Sequence, residues 1–235
     1  MKWMMIAATL AATGCGPLAV EVPAGAVLID VEFRDAVLGY PLVGLEVCVA
    51  DQPDFPCART GQDGKVRAPV PANAEVMLQC AAPLHITTYM TLLTPGADFD
   101  VGVFRLLEQS TADLFVATAG APRDPTRGVL LVNVYDDLVK RTVRVAGGTA
   151  ALESSVGLGP VYGANGALPS SKLSAMSSGG PAGFYDLSPG DYTVTLTHPE
   201  RTCTRGFGWP TTTETSIRTR VFAQGMSTVT WVCPP

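Results

Sequence analysis

Six cysteines and two histidines are the residues of this chain best suited to chemistry, and their spacing decides which chemistry is open to them. A thiolate can attack, bind metal or form a bridge, and an imidazole can move protons or hold a metal. Neither His85 nor His198 stands in an HExxH or paired CxxC arrangement of the kind a zinc site uses. The chain has no GxSxG nucleophile elbow, and no glycine-rich phosphate or dinucleotide loop. His85 opens a strand-like run, and His198 with Pro199 closes another, so both are expected to be boundary residues. Asp51, Asp54, Asp63, Asp98 and Asp100 would supply oxygen ligands for Ca2+ if the loops gathered them, but solvated turn acids are the expectation. Gly206-Phe207-Gly208-Trp209 alternates glycine with rings and would suit a sugar or a partner. Rings packed against their own domain are expected instead. These residues predict no enzyme, no metal and no cofactor.

Cys15 closes the apolar start of the chain. If it is spent elsewhere, Cys48, Cys57, Cys80, Cys203 and Cys233 remain, and an odd set cannot all pair within one chain. Two bridges and one thiol are then expected in an oxidising compartment. Cys80 shares a face with Val76 and Leu78, which points it into a core. Cys48 lies opposite Leu45, Val47 and Val49, which points it outward, and Cys57 follows the loop that leaves its strand. The facing pairs Cys48 with Cys57, and elimination pairs Cys203 with Cys233. A bridge from Cys48 or Cys57 to Cys80 stays open as the rival. In the chain-entropy picture the shorter loop is worth ~2–3 kcal/mol and the longer ~3–4 kcal/mol. A core-facing Cys80 is a poor nucleophile, because burial raises its pKa and bars access.

The elements that must position these residues read as strands. Ile29, Val31 and Phe33 alternate with Asp30, Glu32 and Arg34, the period-2 pattern of a half-buried strand. Thr60-Gly61-Gln62-Asp63-Gly64 and Ser188-Pro189-Gly190-Asp191 are turns. Tyr192, Val194 and Leu196 alternate with three threonines. Further strands are expected at His85 to Leu93, Phe99 to Phe104, Val129 to Tyr135, Thr142 to Val145, Ser216 to Phe222 and Ser227 to Cys233. Gly147 to Pro181 reads as a long loop holding a strand or two. Hydrophobic residues make up 47% and charged residues 16%, so a core is easily built. With 24 glycines and 19 prolines, short strands and turns are favoured over long helices. The expected fold is all-β: two small antiparallel β-sandwich domains in tandem, at 26–105 and 128–235. A tether at 16–25 precedes them, and a linker at 106–127, with helical spacing in part, separates them. A net charge of -5 and no basic stripe argue against a nucleic-acid partner.

Lys2, the apolar run Trp3 to Ala12, and then Thr13-Gly14-Cys15 resemble the bacterial lipoprotein signal with its lipobox. Ala12 departs from the leucine usual there, and an ordinary secretory signal with an incidental cysteine is the alternative. The resemblance implies that residues 1–15 carry the signal, that Cys15 is lipidated and becomes the new N-terminus, and that membrane lipid is its partner. Gly16 in place of aspartate implies, by the enterobacterial sorting rule, the outer membrane. Gly183-Phe184-Tyr185-Asp186-Leu187-Ser188-Pro189-Gly190-Asp191-Tyr192-Thr193-Val194 resembles the carboxypeptidase regulatory-like domains, which are transthyretin-like β-sandwiches. Thr60 to Val66 with Val70-Pro71-Ala72 resembles them more loosely. That family's roles are non-catalytic, and it carries no catalytic residue over. The expected function is a non-catalytic cell-envelope lipoprotein, a structural or binding module with an envelope protein or glycan as partner. The alternatives are an accessory subunit of a larger envelope complex, or an envelope hydrolase.

Overall fold

The computed structural model describes residues 22–141, 143–154, 157–164 and 168–235. Cys15 and the whole signal-like start lie outside the described residues, as does most of the tether. The protein is all-β, with several open sheets and, among the described residues, one short helix.

The first half is built from β1 (Ala26–Asp35), β2 (Glu46–Val49), β3 (Ala58–Arg59), β4 (Lys65–Pro71), β5 (Glu75–Ala81), β6 (Thr88–Leu93) and β7 (Phe99–Leu106). β1 alternates as its sequence demands, with Val27, Ile29, Val31 and Phe33 turned inward. It is the middle strand of the sheet β4-β1-β7. That sheet shares one core with β2, β5 and β6, where Leu45, Leu78 and Met90 are fully buried. Each such side chain contributes roughly 1.5–3 kcal/mol by leaving water. The Asp63-Gly64 turn forms where expected, with the Gly64 amide donating to Gly61 O at 3.0 Å. Gly64 has φ +75°, and a Cβ there would lie 2.5 Å from the Phe33 carbonyl oxygen, so only glycine fits.

The expected linker holds α1 (Gln109–Ala119). Gly120 ends it in the left-handed region, its amide donating to Ala117 O, with Ala121 N donating to Val116 O. Ala112 and Phe115 form its buried face.

The second half comprises β8 (Gly128–Tyr135), β9 (Thr149–Leu152), β10 (Leu158–Gly163), β11 (Pro169–Ser170), β12 (Ala182–Leu187), β13 (Gly190–Thr197), β14 (Thr204–Phe207), β15 (Trp209–Pro210), β16 (Ser216–Val221) and β17 (Met226–Val232). The sheet β15-β16-β13-β9 faces β8, β12 and β17 across a second core around Leu130, Leu187, Ile217 and Trp231. Among its described residues Gly147 to Pro181 holds three short strands, β9, β10 and β11, rather than one or two. Thr142 to Val145 forms no strand among its described residues; Arg144 makes only an isolated bridge to Tyr135.

One long sheet runs through both halves, in the order β11-β10-β12-β8-β17-β6-β5-β2-β3. The last strand of the chain is its middle: β17 pairs in parallel with β8 over its full length and with β6 over Met226 to Thr228. β1 also pairs in parallel with β7. The expected pairings were antiparallel, and these three are not, because their partners are remote in sequence and reached by long crossovers rather than hairpins. The two main cores stay separate, and a third cluster beneath α1, including Leu107, Phe115, Leu131 and Met226, lies at the junction.

Candidate functional site

The predicted cysteine residues divide as the strand facing requires. Cys48 is bonded to Cys57 and Cys203 to Cys233, while Cys80 is a free thiol with no exposed surface. Burial pushes the Cys80 thiol far above its ordinary pKa, so it is inert at neutral pH. Glu46 lies close to the sulfurs of Cys48 and Cys57, but both sulfurs are tied in the disulfide and offer no thiolate to a metal. The five aspartates do not gather. Asp98 bonds the Leu28 amide and Arg67, Asp100 the Gly102 amide, and Asp63 the Lys65 amide.

The histidines differ from one another. His198 caps a local turn: its Nδ1 accepts from the amides of Glu200 and Arg201, and Nε2 faces Ala146 O at 2.8 Å. That pattern fixes the neutral tautomer carrying its proton on Nε2. His85 is more than the boundary residue expected. Its ring is buried, Nδ1 faces Pro83 O at 2.9 Å, and Nε2 faces the buried Asp35 carboxylate at 3.2 Å. Both nitrogens are occupied by acceptors, so neither is open to a serine or cysteine nucleophile.

Phe207 and Trp209 are buried and present no docking surface. They are paired to β17 and β16 of their own half, as expected, and also reach across the junction. Phe207 joins the first core, and the Trp209 indole donates to Val76 O at 3.0 Å.

What the sequence reading missed is a cleft of about 810 Å3 at this junction. Its floor is the interior of the long sheet. Thr88 of β6, Thr228 and Thr230 of β17, and Leu131, Asn133 and Tyr135 of β8 line it. The parallel register sets Leu131 beside Thr228 and Asn133 beside Thr230, and Asn133 Nδ2 donates to Thr228 Oγ1 at 3.0 Å. α1 forms one wall through Thr111, Leu114 and Phe115.

The opposite wall carries the charge. Arg105, Lys140, Arg141 and Arg144 line the cleft, and among the described residues no carboxylate does. Among the described residues none of the four forms an ion pair. A tight turn positions two of them: Asp137 Oδ1 accepts from the amides of Val139 and Lys140 at 2.9 and 2.7 Å. The Lys140 amide, above all, holds the Asp137 carboxyl below its usual range. Arg141 follows with φ +45° and reaches into the first half, donating to Val101 O with its guanidinium 4.9 Å from the Phe207 ring centre. Gly102, at φ +79°, makes the approach possible, since a Cβ there would lie 2.7 Å from Val139 O. Burial pulls the Arg141 guanidinium down to about 10, which leaves it charged at neutral pH, and its Nε is buried without a partner. Arg144 lies 6.0 Å from the Tyr135 ring centre and donates to Gly179 O at 3.2 Å. Arg105 and Lys140 are exposed at the mouth.

A second hollow of about 620 Å3 lies on the other side of α1. Its cations are spent internally, Arg123 on Asp113 at 2.9 Å, and Arg127 near Asp124 and Asp186 at 3.8 Å each. Among the described residues no helix is long and apolar enough to cross a membrane.

No protein-family model and no curated protein matches the chain. Among solved structures, the chain is similar to the Bacillus anthracis TIE protein (12% identity, TM-score 0.28, 89% of this chain and 34% of that one). It thus spans about a third of that chain's length. The minor pilin of Streptococcus agalactiae gives 14% identity and a TM-score of 0.27, over 88% of this chain and 95% of that one. The shaft pilin of Lactobacillus rhamnosus GG gives 11% and 0.24, over 89% and 98%. Superpositions this loose carry no argument about fold or role.

Proposed function

We propose that this chain is a non-catalytic lipoprotein of the cell envelope, held to membrane lipid through Cys15, probing its surroundings as a binding module through the cleft between its halves. The observation that carries the reading is the pair of disulfides, Cys48–Cys57 and Cys203–Cys233. Such bridges persist in oxidising compartments outside the cytosol, which agrees with the export-signal resemblance of residues 1–15. A diacylglycerol with a further acyl chain on Cys15 would give stable attachment, because each buried methylene contributes about 0.8 kcal/mol and one chain alone holds only marginally. The outer membrane is the proposed address, on the resemblance of Gly16 to the sorting rule. Each half, 26–105 and 128–235, is proposed to be a module of the carboxypeptidase regulatory-like kind. The separate cores support that division, with β17 pairing to a strand of each half. The binding role is supported by a cleft of about 810 Å3, within the roughly 300–1,000 Å3 of ligand sites, whose cations form no ion pair among the described residues.

The test is the mass of the mature N-terminal peptide with and without globomycin, which blocks the lipoprotein signal peptidase. The expected peptide begins at Cys15, carries acyl chains, and is replaced by the uncleaved precursor under globomycin. A peptide that begins after Cys15, or one without lipid, overturns the anchor.

A further inference from the structure

The floor of the junction cleft changes character along its length. At one end Met226 and Leu131 lie with Leu107 and Phe115 in the cluster beneath α1, all nearly or fully buried. Asn133 and Thr228 occupy the middle. At the other end Tyr135 is bridged to Arg144, and Arg141 lies against β7 close to Arg105. Leu131 and Tyr135 are four residues apart on β8, about 13 Å at strand rise. The cleft is thus apolar at one end and cationic at the other, over the length of a small molecule.

The floor also decides what kind of ligand fits. β6, β17 and β8 are interior strands, each hydrogen-bonded on both sides, so no edge is free to accept an added peptide strand. A duplex or glycan rich in hydroxyls would leave the apolar end unmatched. Four positive side chains line that end, among the described residues none of them forms an ion pair, and Arg105 and Lys140 are exposed. An anionic group entering the cleft gains charge-assisted hydrogen bonds from these cations.

We propose that the cleft binds a single-chain anionic amphiphile, its carboxylate or phosphate head between Arg105, Lys140 and Arg144 and its hydrocarbon tail running along Asn133 and Thr228 to Leu131, Met226 and Phe115. This deepens the binding role proposed above and rests on it. A free fatty acid and a lysophospholipid share this chemistry, so both sources satisfy it.

The experiment uses the mature chain from Gly16 onward, exported behind a cleavable secretory signal, which carries no acyl group and needs no detergent. Calorimetric titrations below micelle concentrations compare decanoate, decyl phosphate, the neutral decanol and the short anions acetate and inorganic phosphate. Decanoate or decyl phosphate should bind, with decanol and the short anions each at least about tenfold weaker, the factor expected from losing charge-assisted hydrogen bonds or the buried tail. Which of the two long anions binds tighter separates the carboxylate source from the phosphate source. The exposed pair Arg105→Gln/Lys140→Gln should weaken the long anion about tenfold while leaving the melting temperature and decanol binding unchanged. Equal binding of acetate or phosphate, a preference for decanol, no binding of either long anion, or saturation by an acidic peptide instead would each overturn the proposal. Because the anchor is read separately from the N-terminal peptide of the wild-type chain, a failed titration leaves the lipoprotein reading standing, and an unlipidated Cys15 leaves the titration valid.

Discussion

Asp35 and His85 show how much a single buried pair can carry. Asp35 ends β1, and its Oδ1 accepts from the amides of Val37 and Leu38 while Oδ2 faces His85 Nε2. Burial by itself raises the Asp35 pKa, but the Leu38 and Val37 amides and then His85 outweigh it, and the net shift is downward from 3.8. A carboxyl lowered in the folded state contributes stability that is complete above its unfolded value, near pH 4, and is lost as pH falls through the lower folded value. Asp35→Asn should therefore cost about 3 kcal/mol at pH 7, as expected when one member of a buried pair is removed. It should cost much less near pH 2. Urea midpoints from pH 2 to pH 7 check this, and a cost independent of pH would contradict it. The sequence placed His85 at a strand boundary and had no means of linking it to Asp35, fifty positions earlier, because the contact depends on the 82–85 loop lying beside the end of β1.

At the scale of elements, the Cys203–Cys233 bridge fixes the end of β17 to the segment before β14. Closing that loop is worth roughly 3–4 kcal/mol in the chain-entropy model, and the Cys48–Cys57 loop roughly 2–3 kcal/mol. The Cys203→Ser/Cys233→Ser variant should thus lose more stability than Cys48→Ser/Cys57→Ser when the two are compared in guanidinium, and the reverse order would contradict the account. Much at this scale was legible. The alternation of β1 and β13, the Gly64 turn, the helix before Gly120 and the Cys48–Cys57 pair follow from local patterns, and Cys203–Cys233 follows by elimination. The pieces that escaped are those that local pattern does not encode. β3, β11 and β15 have two residues each, too few for any period. Phe207 and Trp209 read as rings for their own half, yet they fill space in the other. Thr228 and Thr230 were read only as part of a last strand, yet they are buried and line the cleft. The cleft was invisible for the same reason: Lys140, Arg141 and Arg144 cluster in one loop, but Arg105 lies on β7 in the other half, and only the folded chain brings all four to one hollow.

The whole molecule depends on the pairing of β17 between β6 and β8. Two cores, each with its own sheets, would open independently if a flexible linker alone joined them. Here β17 is hydrogen-bonded to β8 on one side and β6 on the other, Trp209 donates to Val76 O, and Arg141 to Val101 O. Losing β17 strips a neighbour from both halves at once and opens the cleft floor. Native-state hydrogen exchange in mild denaturant tests this most directly. The slowest amides of β1 and β13 should converge on one opening free energy, shared by Ser227 to Val229 of β17. If the β13 amides exchange through an opening that leaves those of β1 protected, or the reverse, the halves are independent and the junction cleft is no fixed part of the fold.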